Sequence, residues 1–168
     1  ICVNKTGTLT EGKMKVSKVV TSSQIVEKKE GKEITNLTIR IGALFSKAFI
    51  EKNSKGEKVL RGTPTDKALL EKGVEEGIVK EKYKQNHKMF EIPFNSEDKF
   101  TAISFQEDDN NLLYLRGAPE EVLKKCSFFQ GVNKKEKFNK EEKELVNQEL
   151  TKLTKKGLRV IATAYKEE

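Results

Sequence analysis

This sequence predicts an α+β domain, an antiparallel β-sheet flanked by helices. Three observations carry that prediction. Apolar spacing switches between the two-residue period of strands and the roughly 3.6-residue period of helices, in the order strands, helices, strands, helices, strand. That order is not the strict strand-helix alternation of a doubly wound parallel sheet. The middle strands are separated only by Asn95–Asp98 and Asp108–Asn111, which suit antiparallel neighbours and are too short for a parallel crossover.

The elements follow in chain order. Ile1-Cys2-Val3 reads as the end of a buried strand that runs into the polar turn Asn4–Thr10. Lys15–Thr21 is β-branched and predicts a strand, which Gln24–Glu27 continues or pairs with. Glu27–Glu33, with Gly31, predicts a charged hairpin tip. Leu37, Ile41, Leu44, Phe45, Ala48 and Phe49 share one helical face, so Leu37–Ile50 predicts an amphipathic helix with Asn36 as its N-cap. Asn53–Lys58 is a polar loop. Thr63 caps the next helix, Pro64 occupies its first turn and Asp66 puts a carboxylate at its positive end. That helix runs to about Glu76 and stops at Gly77, with a short helix possible over Lys80–Asn86. Strands follow at Met89–Phe94, Phe100–Gln106 and Leu112–Arg116. Gly117–Glu120 ends the third of these and opens a helix with Pro119 in its first turn. Asn139–Glu142 is a capping box by type, and its helix carries Leu145, Val146, Leu150 and Leu153 to a stop at Gly157. Leu158–Tyr165 is a last strand, apolar enough to be central in the sheet.

Composition bounds the function. A chain of 168 residues buries roughly 70% of its unfolded surface and folds without disulfides or metal. Its 33 basic and 26 acidic residues give a net charge of +7, yet glutamates interrupt nearly every lysine run. That pattern suits solvated helix faces and not a phosphate-tracking stripe, so no nucleic-acid role is expected; a small polyanion such as a nucleotide fits the charge equally well. No apolar run reaches the roughly 20 residues of a membrane helix. Ile1–Thr10 is neither a signal nor a transit peptide and reads as the interior of something longer. Cys2 and Cys126 lie too far apart in sequence to suggest a zinc site, and lone His87 reads as a loop or surface residue. Neither GxxxxGK[ST] nor GxGxxG occurs, so any nucleotide must be held by side chains.

Five segments carry a resemblance. Asn4-Lys5-Thr6-Gly7-Thr8-Leu9-Thr10 is similar to the phosphorylation signature of the P-type cation-transporting ATPases, differing only where that family has its phosphorylated aspartate. Thr63–Leu69, Phe94-Asn95-Ser96-Glu97-Asp98-Lys99, Arg116-Gly117-Ala118-Pro119-Glu120 with Cys126 after it, and Gly157-Leu158-Arg159-Val160 follow in the family's order. Together they span the chain, and they look more like the calcium, sodium and magnesium pumps than the heavy-metal pumps, with calcium the first guess.

The resemblance implies a cytoplasmic nucleotide-binding domain over 13–168, cut from an integral membrane pump, with 1–12 the remnant of the phosphorylation domain and its hinge. It implies ATP or ADP as ligand, Mg²⁺ in the intact pump, and the pump's phosphorylation, actuator and membrane domains as partners; the fragment alone is expected to be monomeric. Asn4 takes the phosphorylated position, with Lys5 and Thr6 helping to hold phosphate and magnesium there; no metal site is expected in the fragment. An amide is a poor nucleophile, so Asn4 is not expected to be phosphorylated. An engineered Asp→Asn change and a natural departure both account for it. In the second case a non-catalytic nucleotide sensor or protein-interaction domain becomes the rival function, and the gene sequence discriminates.

The cofactor-binding candidates are Asp66, Phe94, Lys99, Arg116, Gly117 and Arg159. Phe94 stacks on adenine or belongs to the core. Asp66 accepts from the adenine amino group or simply charges a helix start, and the family prefers Glu there. Lys99 and Arg116 line the pocket, with Lys more usual in the family at the second position. Arg159 reaches the phosphates, or is a capping or salt-bridge arginine at a helix C-terminus.

Overall fold

The computed structural model describes residues 12–78, 87–107 and 110–167. Cys2, Asn4, Lys5, Thr6 and the short helix expected over 80–86 lie outside them. In order, the elements are α1 (Ser22–Val26), α2 (Lys32–Leu44), β1 (Phe49–Lys52), β2 (Lys58–Arg61), α3 (Pro64–Glu75), β3 (His87–Ile92), β4 (Phe100–Glu107), β5 (Asn110–Gly117), α4 (Pro119–Lys125), β6 (Phe128–Gln130), β7 (Lys135–Lys137), α5 (Lys140–Lys155) and β8 (Ala162–Glu167). The principal sheet is antiparallel in the order β3-β4-β5-β8, and β1-β2 and β6-β7 are separate hairpins.

The α+β class and the antiparallel meander agree with the expectation, and several local assignments are corrected. Residues 12–20 form no strand. Gln24–Glu27 is not strand either but mostly helix, because Thr21 and Gln24 make a reciprocal capping box: Thr21 N–H donates to Gln24 Oε1 at 2.8 Å and Gln24 N–H to Thr21 Oγ1 at 3.4 Å. The span read as a hairpin tip instead leads into α2, which starts at Lys32 behind Gly31 and leaves Asn36 inside the helix. The far end of the expected helix unwinds after Leu44, and Phe49 and Ile50 enter β1, where both are exposed. Asn53–Lys58 is a loop as expected, but it closes a hairpin: Asn53 Oδ1 accepts from the N–H groups of Lys55 and Glu57, both at 2.9 Å.

β4 is buried on both faces, Thr101, Ile103 and Phe105 on one and Ala102 and Ser104 on the other. The first face meets α2 in a core of Ile41, Phe45, Ile103, Phe105 and Tyr114, with Leu37, Leu44, Leu112 and Tyr165 around it. Close approach sets α2 against α3. A Cβ on Gly73 would fall 2.6 Å from that of Ala43, and one on Gly42 would fall 3.3 Å from Leu69 Cδ2. β8 lies at the outside of the described sheet and not in its centre. Its apolar character comes from the helices it touches, α2 and α4, and not from strands on both edges.

Cys126 closes α4 and is a half-buried free thiol. Burial pushes its pKa up, and Lys143 opposes that in part. Deprotonation is thus harder in the folded chain, so the stability this thiol contributes is complete below its unfolded pKa and drains as pH rises through the higher folded value. Urea titrations at about pH 8 and about pH 10 should show Cys126→Ser losing less stability over that interval than the parent; equal losses would remove the thiol as the cause.

Candidate functional site

One end of the principal sheet collects the sequence-predicted residues. Strand register brings Phe100 opposite Gly117 and Gly117 opposite Ala162; Thr101, Arg116 and Thr163 form the next row. β3 finishes beside them, with Ile92 opposite Ala102 and its carbonyl accepting from Thr101 Oγ1 at 2.8 Å. Phe94 lies two residues beyond β3, Lys99 immediately precedes β4, Arg116 and Gly117 end β5, and Arg159 lies three residues before β8. The segments that are distant in sequence therefore converge here.

The turn between β3 and β4 is built by Asn95. Its Oδ1 accepts from the Asp98 N–H and its Nδ2 donates to Asp98 Oδ2, both at 2.6 Å, while its carbonyl accepts from Lys99 N–H at 3.0 Å. Lys99 closes the turn at φ 55°, a left-handed conformation that is uncommon outside glycine. Its carbonyl accepts from Ala118 N–H at 2.8 Å, and its Nζ stands 4.0 Å from Glu120 Oε1 in an exposed, weak pair. The Lys99 turn and the Arg116–Glu120 segment are thus one unit.

Gly117 has a steric reason that sequence alone did not supply. A Cβ there would sit 2.6 Å from the Lys99 carbonyl oxygen and 2.6 Å from Phe100 Cβ. Phe94 is 59% exposed, so its ring is not a core residue.

Arg116 leaves the sheet on the face of Tyr114 and meets α3. Its Nη1 and Nη2 each lie 3.5 Å from Asp66 Oδ1, and both side chains are largely buried. The guanidinium also stands over the Phe45 ring, 5.7 Å from its centroid. Burial draws the Arg116 pKa down, Asp66 opposes this, and the nearby charge of Arg159 adds to the lowering. Asp66 is held in turn by Thr63, whose Oγ1 donates to Oδ2 at 2.8 Å and accepts from the Asp66 N–H at 3.2 Å. Ser46 anchors the same turn through a 2.8 Å bond from Oγ to the Asp66 carbonyl.

The sequence reading missed Phe45 and Ser46. Phe45 looked like one more apolar residue of a helical stripe, and no local signal marks Ser46. Thr63 was legible as a cap, but its bond to the carboxylate was not.

Arg159 is exposed. The α5 end is closed by backbone N–H groups of Lys156, Gly157 and Leu158, so capping is not the task of the Arg159 side chain. Arg159 also borders a groove of about 390 Å³, formed by the 13–20 segment, α2, α3 and residues 157–161. Asp66, Phe94, Lys99 and Arg116 do not line that groove. Among the described residues, no group of three or more His, Cys, Asp or Glu is placed to hold a metal ion.

Gly117→Ala should destabilise the chain by about 2 kcal/mol, because the new methyl group meets the Lys99 carbonyl oxygen and the Cα and Cβ of Phe100. Urea denaturation measures this, and a near-neutral result would mean that the Lys99 turn yields easily.

Comparison with known proteins agrees with this architecture. The family model for the P-type ATPase cytoplasmic domain N matches residues 35–168. A sodium/potassium-transporting ATPase subunit alpha-B of Artemia franciscana is 31% identical over 96% of this chain and 18% of its own length. A calcium-transporting ATPase type 2C member 2 of Rattus norvegicus is 31% identical over 98% of the chain and 19% of its own length. A calcium-transporting ATPase of Bacillus subtilis is 30% identical over 99% of the chain and 21% of its own length. The chain therefore spans about a fifth of the length of such relatives.

Proposed function

This chain belongs to the P-type ATPases as their cytoplasmic domain N, and on that premise we propose that it binds ATP at the end of its principal sheet. In the intact cation pump it would carry the γ-phosphate to the position that Asn4 occupies here. Residues 13–168 form the nucleotide-binding part in this reading, and 1–12 lead back to the phosphorylation domain. The other pump domains are its partners.

The observation that carries the reading is an exposed ring at the sheet end where Lys99 and Arg116 also lie. Phe94 offers a face to a purine without disturbing the core. Adenine stacks there, as bases do on aromatic platforms. Arg116 is near enough to Arg159 to feel its charge, and Lys99 stands at the adjoining turn. A polyphosphate relieves that repulsion and uses guanidinium donors the protein leaves over. Asp66 spends Oδ1 on Arg116 and one lone pair of Oδ2 on Thr63, leaving an acceptor position for the adenine amino group. Gly117 keeps the Lys99 turn against β5.

Phosphoryl transfer in this family uses an aspartate carboxylate as nucleophile, which Asn4 does not supply. Thr6 and Lys5 would act there with Mg²⁺, whose role is to neutralise charge between the phosphates and the attacking oxygen. The chain by itself then binds nucleotide and turns none over.

Chemical-shift titration with ATP tests this. Phe94→Ala should weaken binding about tenfold and leave the thermal midpoint near that of the parent. Adding Mg²⁺ should change the parent's affinity little. An unchanged affinity in Phe94→Ala, or no shifts at millimolar ATP, would remove the assignment.

A further inference from the structure

We propose that Thr63 is a positioning residue for ligand binding: its hydroxyl sets the Asp66 carboxylate and, through it, aims the Arg116 guanidinium. This rests on the site reading given above.

Thr63 makes two separate bonds to one residue. Accepting from the Asp66 N–H at 3.2 Å is ordinary N-capping. Donating to Asp66 Oδ2 at 2.8 Å is not required by the cap. An ionised carboxylate only accepts, so the direction of that bond is fixed. With Oδ2 held by Thr63, Oδ1 is the oxygen turned to β5, and both Nη atoms of Arg116 address it.

Those contacts, at 3.5 Å, lie at the outer limit of a hydrogen bond. The guanidinium is therefore steered and not locked. Charge draws it toward Asp66, the Phe45 ring supports it, and Arg159 repels it. In such a balance the orientation of the carboxylate decides where the remaining Arg116 donors point. Backbone geometry cannot do this alone, because without the hydroxyl the Asp66 carboxylate is held only by its 3.5 Å contacts with Arg116.

Two substitutions separate positioning from capping. Thr63→Gly removes both bonds of the hydroxyl, but the loss of the cap is cheap, since glycine at an N-cap costs only a few tenths of a kcal/mol relative to threonine. Thr63→Ser keeps both bonds. In the 168-residue chain, Thr63→Gly should bind ATP about tenfold more weakly with a nearly unchanged urea midpoint. Thr63→Ser should bind like the parent. In an Arg116→Ala background, adding Thr63→Gly should cost much less than tenfold, since only the contact of Asp66 with adenine is left for it to disturb.

The Arg116 side-chain Nε–H resonance gives a readout without ligand, and Thr63→Gly should shift it. Unchanged ATP affinity in Thr63→Gly, or the same tenfold loss in the Arg116→Ala background, overturns the proposal. Should the parent bind no ATP at all, the site reading fails separately. The resonance still decides the positioning claim, which a shift supports and an unmoved signal overturns.

Discussion

The pairing of Asp66 with Arg116 ties the helical layer to the end of the sheet, and the arrangement around it depends on that tie. One partner sits in the first turn of α3 and the other on β5. Both side chains are mostly withdrawn from water, at 12% and 15% exposure. A lone charge so placed is costly, so each residue constrains where the other's element can lie. Ser46, Thr63 and Phe45 complete the joint: one hooks the α3 backbone to the end of α2, one orients the carboxylate, and one supports the cation. The ion pair adds specificity of placement more than net stability, since desolvation offsets much of the attraction.

Close backbone approach is the second constraint. Gly73 lets α3 rest against Ala43 of α2, and Gly117 lets β5 reach the Lys99 turn. Both positions look interchangeable with alanine in a one-dimensional pattern. In space each meets another residue at a distance no methyl group tolerates. Lys99 in turn adopts a left-handed backbone to close the same turn, so the sheet end combines a missing side chain with a strained one. Such strain persists only where surrounding bonds over-determine it, and the Asn95–Asp98 network does so here.

The groove beside Arg159 and the sheet end that carries Phe94 are different kinds of surface. The first is a groove in which aliphatic side chains such as Val16, Val20, Ile39 and Leu69 alternate with Lys13, Lys15, Lys18 and Lys72. The second is marked by the exposed Phe94 ring, with Lys99 and Arg116 at the same end of the sheet. Concavity alone would have pointed to the groove. The proposed nucleotide site is at the sheet end because the exposed aromatic ring is there, and not in the groove.

Local signals determined what the sequence could determine. Thr63-Pro64 starts α3, Pro119 starts α4, the Asn139–Glu142 box starts α5, and short polar turns joined β3, β4 and β5, all before any contact was known. The P-type resemblance likewise rested on short motifs. Where two local signals competed, the sequence misled. Val19-Val20 suggested a strand through Thr21, whereas the Thr21–Gln24 capping box made a helix. Only tertiary structure decided that β8 lies outermost, that Gly117 answers to the Lys99 carbonyl, and that Phe45 and Ser46 belong with Asp66 and Arg116. Caps and periodicity act within a few residues. Pairing between positions tens of residues apart, such as Asp66 and Arg116, leaves no mark until the chain has closed on itself.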